Sequence, residues 1–102
     1  MLQSLENMLA KGVDNALLRF GLGKGYLDQG DALLAVTHLS RCVELDPGYS
    51  AAWKLLGKAQ LASDQPQAAQ EAWQKGIAAA VAKGDKQAEK EMQVFLKKLK
   101  KA

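Results

Sequence analysis

The chain has 102 residues, of which 48% are hydrophobic and 25% charged, with a formal net charge of +3. That length holds one modest core rather than two domains, and no apolar run approaches the roughly 20 residues that span a bilayer. A single cysteine, Cys42, excludes an intramolecular disulfide, and a single histidine, His38, leaves little scope for a Cys/His metal site.

Apolar residues recur at helical spacing along nearly the whole sequence, and no stretch sustains strand alternation. The N-terminal segment "MLQSLENMLAKG" places Leu2, Leu5, Met8 and Leu9 on one helical face and breaks at Gly12. It carries Glu6 and lacks a basic region followed by an apolar one, so it does not read as a secretory signal and the expected location is cytoplasmic. Asp14 is expected to cap a helix through "NALLRFGLGKGYL". "DQGD", residues 28–31, supplies a turn with Gly30 suited to a left-handed position. "ALLAVTHLSRCVEL" follows and stops at Asp46-Pro47-Gly48, where Asp46 is expected to cap the next helix with Pro47 at its first position.

That helix, "YSAAWKLLGKAQLA", ends near Ser63, and Asp64 with Pro66 is expected to repeat the same device before "QAAQEAWQKGIAAAVAK". Gly84-Asp85 closes the latter and caps a final helix, residues 86–100, with Ala88, Met92, Phe95, Leu96 and Leu99 in one stripe. The joins are short, so consecutive helices are antiparallel neighbours. Charge is uneven: residues 1–51 hold four basic and six acidic side chains, residues 52–102 ten and five. The second half is therefore the better candidate for an anionic partner.

A shift of 34 residues lays Leu22-Gly23-Lys24 on Leu56-Gly57-Lys58, Leu27 on Leu61, and Ala35 on Ala69. The small pairs Gly23/Gly57 and Gly25/Ala59 fall where two helices must approach closely, since mid-helix glycine otherwise costs roughly 1 kcal/mol against alanine. This period and pattern resemble the tetratricopeptide repeat, a helix-turn-helix unit. One repeat, residues 16–49, offers Arg19, Leu22-Gly23, Tyr26, Gly30-Asp31, Ala35, Leu39, Cys42 and Asp46-Pro47. A second, residues 50–83, offers Trp53, Leu56-Gly57, Gln60, Ala69, Trp73, Gly76 and Val81. Arg19 stands where the family has its first Trp, Gln60 where it has Tyr, and Val81 where it has a helix-ending Pro. The last difference extends the second helix of that repeat to Gly84. Around the repeats lie an N-terminal helical segment, residues 1–15, and a basic capping helix within residues 84–102. The resemblance thus implies one all-α domain, a right-handed solenoid of antiparallel helix-turn-helix repeats with a C-terminal cap.

It also implies a function: a non-enzymatic scaffold that binds a peptide or protein on the concave face formed by the first helix of each repeat. The family's face-lining places fall on Leu17, Phe20, Lys24, Leu27 and Asp28, then Ala51, Lys54, Lys58, Leu61 and Ala62, with Tyr49 at the junction. Lys54 and Lys58 project from one side of a helix and suit an acidic partner with an apolar anchor; the plainer reading is a solvated lysine face. The carboxylate clamp of some relatives is absent, because its places are held by Phe20, Lys24, Leu55, Asp85 and Glu89.

"KKLKKA" admits contact with nucleic acid or an anionic membrane through Lys97, Lys98, Lys100 and Lys101, though cations at a helix C-terminus are favoured there anyway. Nucleic acid or membrane is the less favoured partner; a further alternative is a self-associating structural module, in which the open end of the short solenoid pairs with its copy, and the state is expected to be a monomer or weak homodimer. Cys42 is read as a packed thiol, His38 as a surface residue, and Trp53 and Trp73 as core. The glycines of "FGLGKG" lie inside a helix and follow no strand, so they form no phosphate loop. No cofactor, metal site or catalytic residue is expected.

Overall fold

The computed structural model describes residues 1–101 and contains six helices: α1 Leu2–Ala10, α2 Ala16–Asp28, α3 Ala32–Leu45, α4 Ser50–Ala62, α5 Pro66–Lys83 and α6 Lys86–Lys101. Among the described residues there is no strand. Each helix packs on its neighbour in sequence, and α2–α3 and α4–α5 are the most extensive pairs. In addition α2 meets α4 and α4 meets α6, whereas α3 and α5 stay out of backbone contact. The layer α2–α4–α6 is therefore the more closely spaced, inner one.

Two patches of core hold the layers together. Ala35, Leu39, Cys42 and Val43 of α3 close on Ala52, Leu56 and Ala59 of α4 and on Ala72 of α5. Ala69, Trp73 and Ala80 of α5 close on Ala88 and Met92 of α6, with Phe95, Leu96 and Leu99 packed around them. The small residues are there because the helices touch. A Cβ at Gly23 would run into the Leu39 side chain of α3, and one at Gly57 would run into the Trp73 indole of α5. In contrast α1 buries no residue fully; Leu2 and Leu5 lie against Gly25 and Gly21 of α2.

The helix ends correct three sequence expectations. Asn15, not Asp14, caps α2, its side chain accepting from Leu18 N at 2.8 Å; Asp14 is engaged instead by Arg19, at 2.7 and 3.0 Å. Asp46 does not cap α4. Its Oδ1 accepts from Gly48 N at 3.1 Å and closes a local turn, so Pro47 stays outside the helix and Tyr49 is the capping position. Asp64 takes a left-handed backbone (φ 62°), leaving Gln65 as the residue before Pro66; aspartate tolerates that conformation better than most residues. The expected ends that hold are the turn at residues 28–31, with Gly30 left-handed (φ 84°), and Gly84-Asp85; Asp31, not singled out from the sequence, caps α3 by accepting from Leu34 N at 3.2 Å. Gly84 is left-handed (φ 76°), and Asp85 accepts from Ala88 N at 3.1 Å. With no proline at Val81, α5 runs on to Lys83.

Candidate functional site

The eleven residues at the family's face-lining places lie on α2, on α4 and, for Tyr49, at the N-terminal end of α4, and their surroundings differ. Leu17 is 72% exposed. Phe20 is half-buried and stacked on Tyr49, centroids 4.9 Å apart and rings 19° from parallel, so α2 is joined to the head of α4. Leu27 is half-buried against the first core patch. Lys24 and Asp28 pair with each other one turn apart at 3.3 Å, both well exposed, a contact of small energetic worth. Burial raises the Tyr49 phenol above its ordinary value, and Lys83 Nζ stands 5.9 Å from its ring.

Lys54 and Lys58 are not a bare cationic pair. Lys54 Nζ donates to Glu91 Oε1 of α6 at 3.1 Å, with only 24% of the lysine side chain exposed. Lys58 Nζ lies 5.0 Å from the centroid of Phe95, also in α6. Their i, i+4 spacing places both on the side where α6 docks. Farther along α4, Leu61 is 44% exposed and borders a groove completed by Trp73, Phe95, Lys98 and Leu99. Sequence reasoning gave Phe95 to the core and α6 to capping, and so missed Glu91, Phe95, Lys98 and Leu99 as neighbours of the face. The available signal was that residues 91, 95 and 98 recur at helical spacing along the edge of the apolar stripe.

The two tryptophans divide. Trp73 is 2% exposed and its Nε1 donates to Lys54 O at 3.1 Å, tying α5 to α4. Trp53 is only half-buried; its Nε1 donates to Pro47 O at 2.8 Å, which fixes the α3–α4 turn.

His38 is buried at 6% exposure, correcting the surface expectation. Arg19 is the reason. Where the family has an aromatic residue, its guanidinium spans Asp14 and His38, and Nη1 donates to His38 Nδ1 at 3.1 Å. The imidazole also stacks on Tyr26 at 5.6 Å, and the Tyr26 hydroxyl donates to Glu6 of α1. Burial first, and the Arg19 charge second, hold the His38 pKa below its ordinary value. The Arg19 hydrogen bond likewise holds Asp14 below the usual carboxylate range. Both groups help knit α2 to α3, His38 through Arg19 and Asp14 through Arg19 and Arg41. Cys42 is fully buried, its thiol donates to Ala16 O at 3.2 Å, and burial pushes its pKa up to about 11. Such a thiol is a packed group and a poor nucleophile.

Among the described residues no three His, Cys, Asp or Glu side chains are gathered to hold a metal ion, and no helix is long and apolar enough to cross a membrane. The arrangement is that of a helical-repeat protein with one inner, cation-rich side. Comparison with known proteins gives the particular family. A tetratricopeptide repeat model matches residues 26–85, and the chain belongs to that family. A TPR repeat-containing protein of Pseudomonas aeruginosa is 67% identical over 102 residues, all of this chain and 97% of that protein. A protein from Bordetella parapertussis, determined in solution, is 46% identical with a TM-score of 0.85, over 99% of this chain and 88% of that one. The crystal structure of MamA is 25% identical with a TM-score of 0.73, over 97% of this chain and 66% of the other. Tetratricopeptide repeats in general mediate protein–protein contacts.

Proposed function

We infer that this chain is a non-enzymatic adaptor, with residues 16–49 and 50–83 as its two repeats, that holds a peptide or protein partner on the α2–α4–α6 side. The observation that carries this reading is the combination found there: large apolar side chains left in water, Leu17 at 72% and Leu61 at 44%, interleaved with Lys24 and Lys58. Apolar anchors set beside cations are complementary to a partner that brings carboxylates and apolar side chains. The partner chemistry that fits is acidic with apolar anchors.

The test is capture from an extract of the native cell. Lys24→Glu with Lys58→Glu reverses two exposed charges and should abolish capture while leaving the melting temperature nearly unchanged. Lys54 is unsuitable for reversal, because Lys54→Glu would face Glu91 and loosen α6. Undiminished capture by the double variant would remove this face.

A second reading, contact with nucleic acid or an anionic membrane through α6, is supported by one observation. Lys86, Lys90, Lys97, Lys98, Lys100 and Lys101 are all exposed, and none forms a salt bridge among the described residues. It demands affinity that falls steeply as salt rises; a salt-insensitive partner would exclude it.

A further inference from the structure

The groove beside Leu61 has more definite chemistry than the rest of the inner side. It measures about 220 Å³ and is walled by Leu61 of α4, Trp73 of α5, and Phe95, Lys98 and Leu99 of α6. Counting about 30 Å³ for each water of the bulk liquid, it has room for about seven waters, a space suited to one large side chain rather than a chain of them. Its walls are set. Trp73 spends its single donor on Lys54 O, so the indole offers the groove only carbon, and Phe95 is held against it with centroids 5.2 Å apart at 47°. Leu61 stands partly in water at the mouth, so covering it is favourable.

The rim is cationic and uncompensated. Lys58 lies over Phe95, and Lys98 is itself a wall. Neither forms a salt bridge among the described residues, while Glu91, a carboxylate that α6 turns toward α4, is already taken by Lys54. A carboxylate brought in by a ligand can meet both lysines without displacing an existing carboxylate. The chemistry also argues against other ligands. Phe95 already has Trp73 near it and Lys58 over its ring, which leaves poor access for a stacked nucleobase.

We propose that this groove is the anchor site of the adaptor, taking one large apolar side chain, of leucine or phenylalanine size, from an acidic peptide whose flanking carboxylates bind Lys58 and Lys98. The proposal rests on the adaptor reading and adds the ligand's chemistry. It also makes α6 a wall of the binding site as well as a cap.

The experiment is a two-dimensional amide spectrum of the full chain, titrated with blocked heptapeptides carrying a central leucine and glutamate on both sides. The expected result is shifts concentrated at Lys58, Leu61, the Trp73 indole, Phe95, Lys98 and Leu99. Replacing the central leucine by alanine should weaken binding roughly tenfold or more, the usual worth of burying such a side chain. Lysine flanks in place of glutamate should abolish binding. Lys58→Glu with Lys98→Glu should abolish it as well while the rest of the spectrum stays in place, and Leu61→Ala should weaken it severalfold. Shifts confined to Leu17 and Lys24 would overturn the groove and leave the adaptor reading standing. So would silence toward every peptide from a protein that still captures a partner from extract. A single-stranded oligonucleotide that moves the groove signals when the acidic peptide does not would equally overturn the proposal.

Discussion

Gly57→Ala sets two effects of opposite sign against each other. Gly57 is interior to α4, where alanine is worth about 1 kcal/mol more than glycine by helix propensity alone. An exposed site would therefore gain stability from the change. Here the new methyl would enter the Trp73 indole, a side chain only 2% exposed. Overpacking of that kind costs about 1–3 kcal/mol. If the ring moves aside, it also loses the hydrogen bond from Nε1 to Lys54 O, and a buried donor left unmet costs about 1–3 kcal/mol. With both costs set against the propensity gain, the net expectation is a loss of about 1–5 kcal/mol. For a domain of this size each kcal/mol lowers the melting temperature by about 4–8 °C, so a fall of at least about 4 °C is expected. Urea and thermal melts followed by circular dichroism measure it, and tryptophan emission reports whether the ring has moved. A Gly57→Ala protein as stable as the wild type, or more so, would refute the claim that the α4–α5 crossing dictates this glycine.

The other expectations rest on separate parts of the structure. His38 is held below its ordinary pKa, so the unfolded chain binds the additional proton. Stability should therefore fall as pH drops below about 6.5, the ordinary histidine value. Glu6 and Asp14 oppose that shift without reversing it, and His38→Gln, which keeps an acceptor for Arg19, should flatten the slope between pH 7 and 5 in urea midpoints. Cys42, with its pKa pushed up to about 11, should react with a thiol reagent near pH 8 only as fast as the chain opens, so labelling should accelerate steeply with urea. The Lys54–Glu91 pair is part-exposed and should show a coupling of about 0.5–1 kcal/mol in a double-mutant cycle with alanine, reduced by high salt. Removing residues 86–102 strips Met92, Phe95 and Leu96 from Trp73 and Ala80 and should give an unfolded or aggregated chain; a monomeric, cooperatively melting truncation would contradict this.

What the sequence determined by itself was the local grammar. Helical periodicity, Gly30, Gly84 and the missing proline at Val81 act within one or two turns of the chain, so they could be read in order along it. The 34-residue correspondence added the close crossings at Gly23 and Gly57, because a glycine kept inside a helix at a fixed interval has few other reasons. Helix caps were less legible, since Asp14 and Asp46 each had two possible hydrogen-bond partners and only the folded chain selects one. The candidate site was half legible. The α4 side of it, Lys54, Lys58 and Leu61, follows from position in the repeat, whereas Glu91, Phe95 and Lys98 arrive from residues roughly 35 positions later. The same distance problem governs His38, which the sequence places on the surface because it lies mid-helix beside Thr37 and Arg41. Tertiary structure buries it by supplying Arg19 and Tyr26 from another helix. A side chain's partners across the fold depend on how helices pack, and packing is a property of pairs of segments that no single segment encodes.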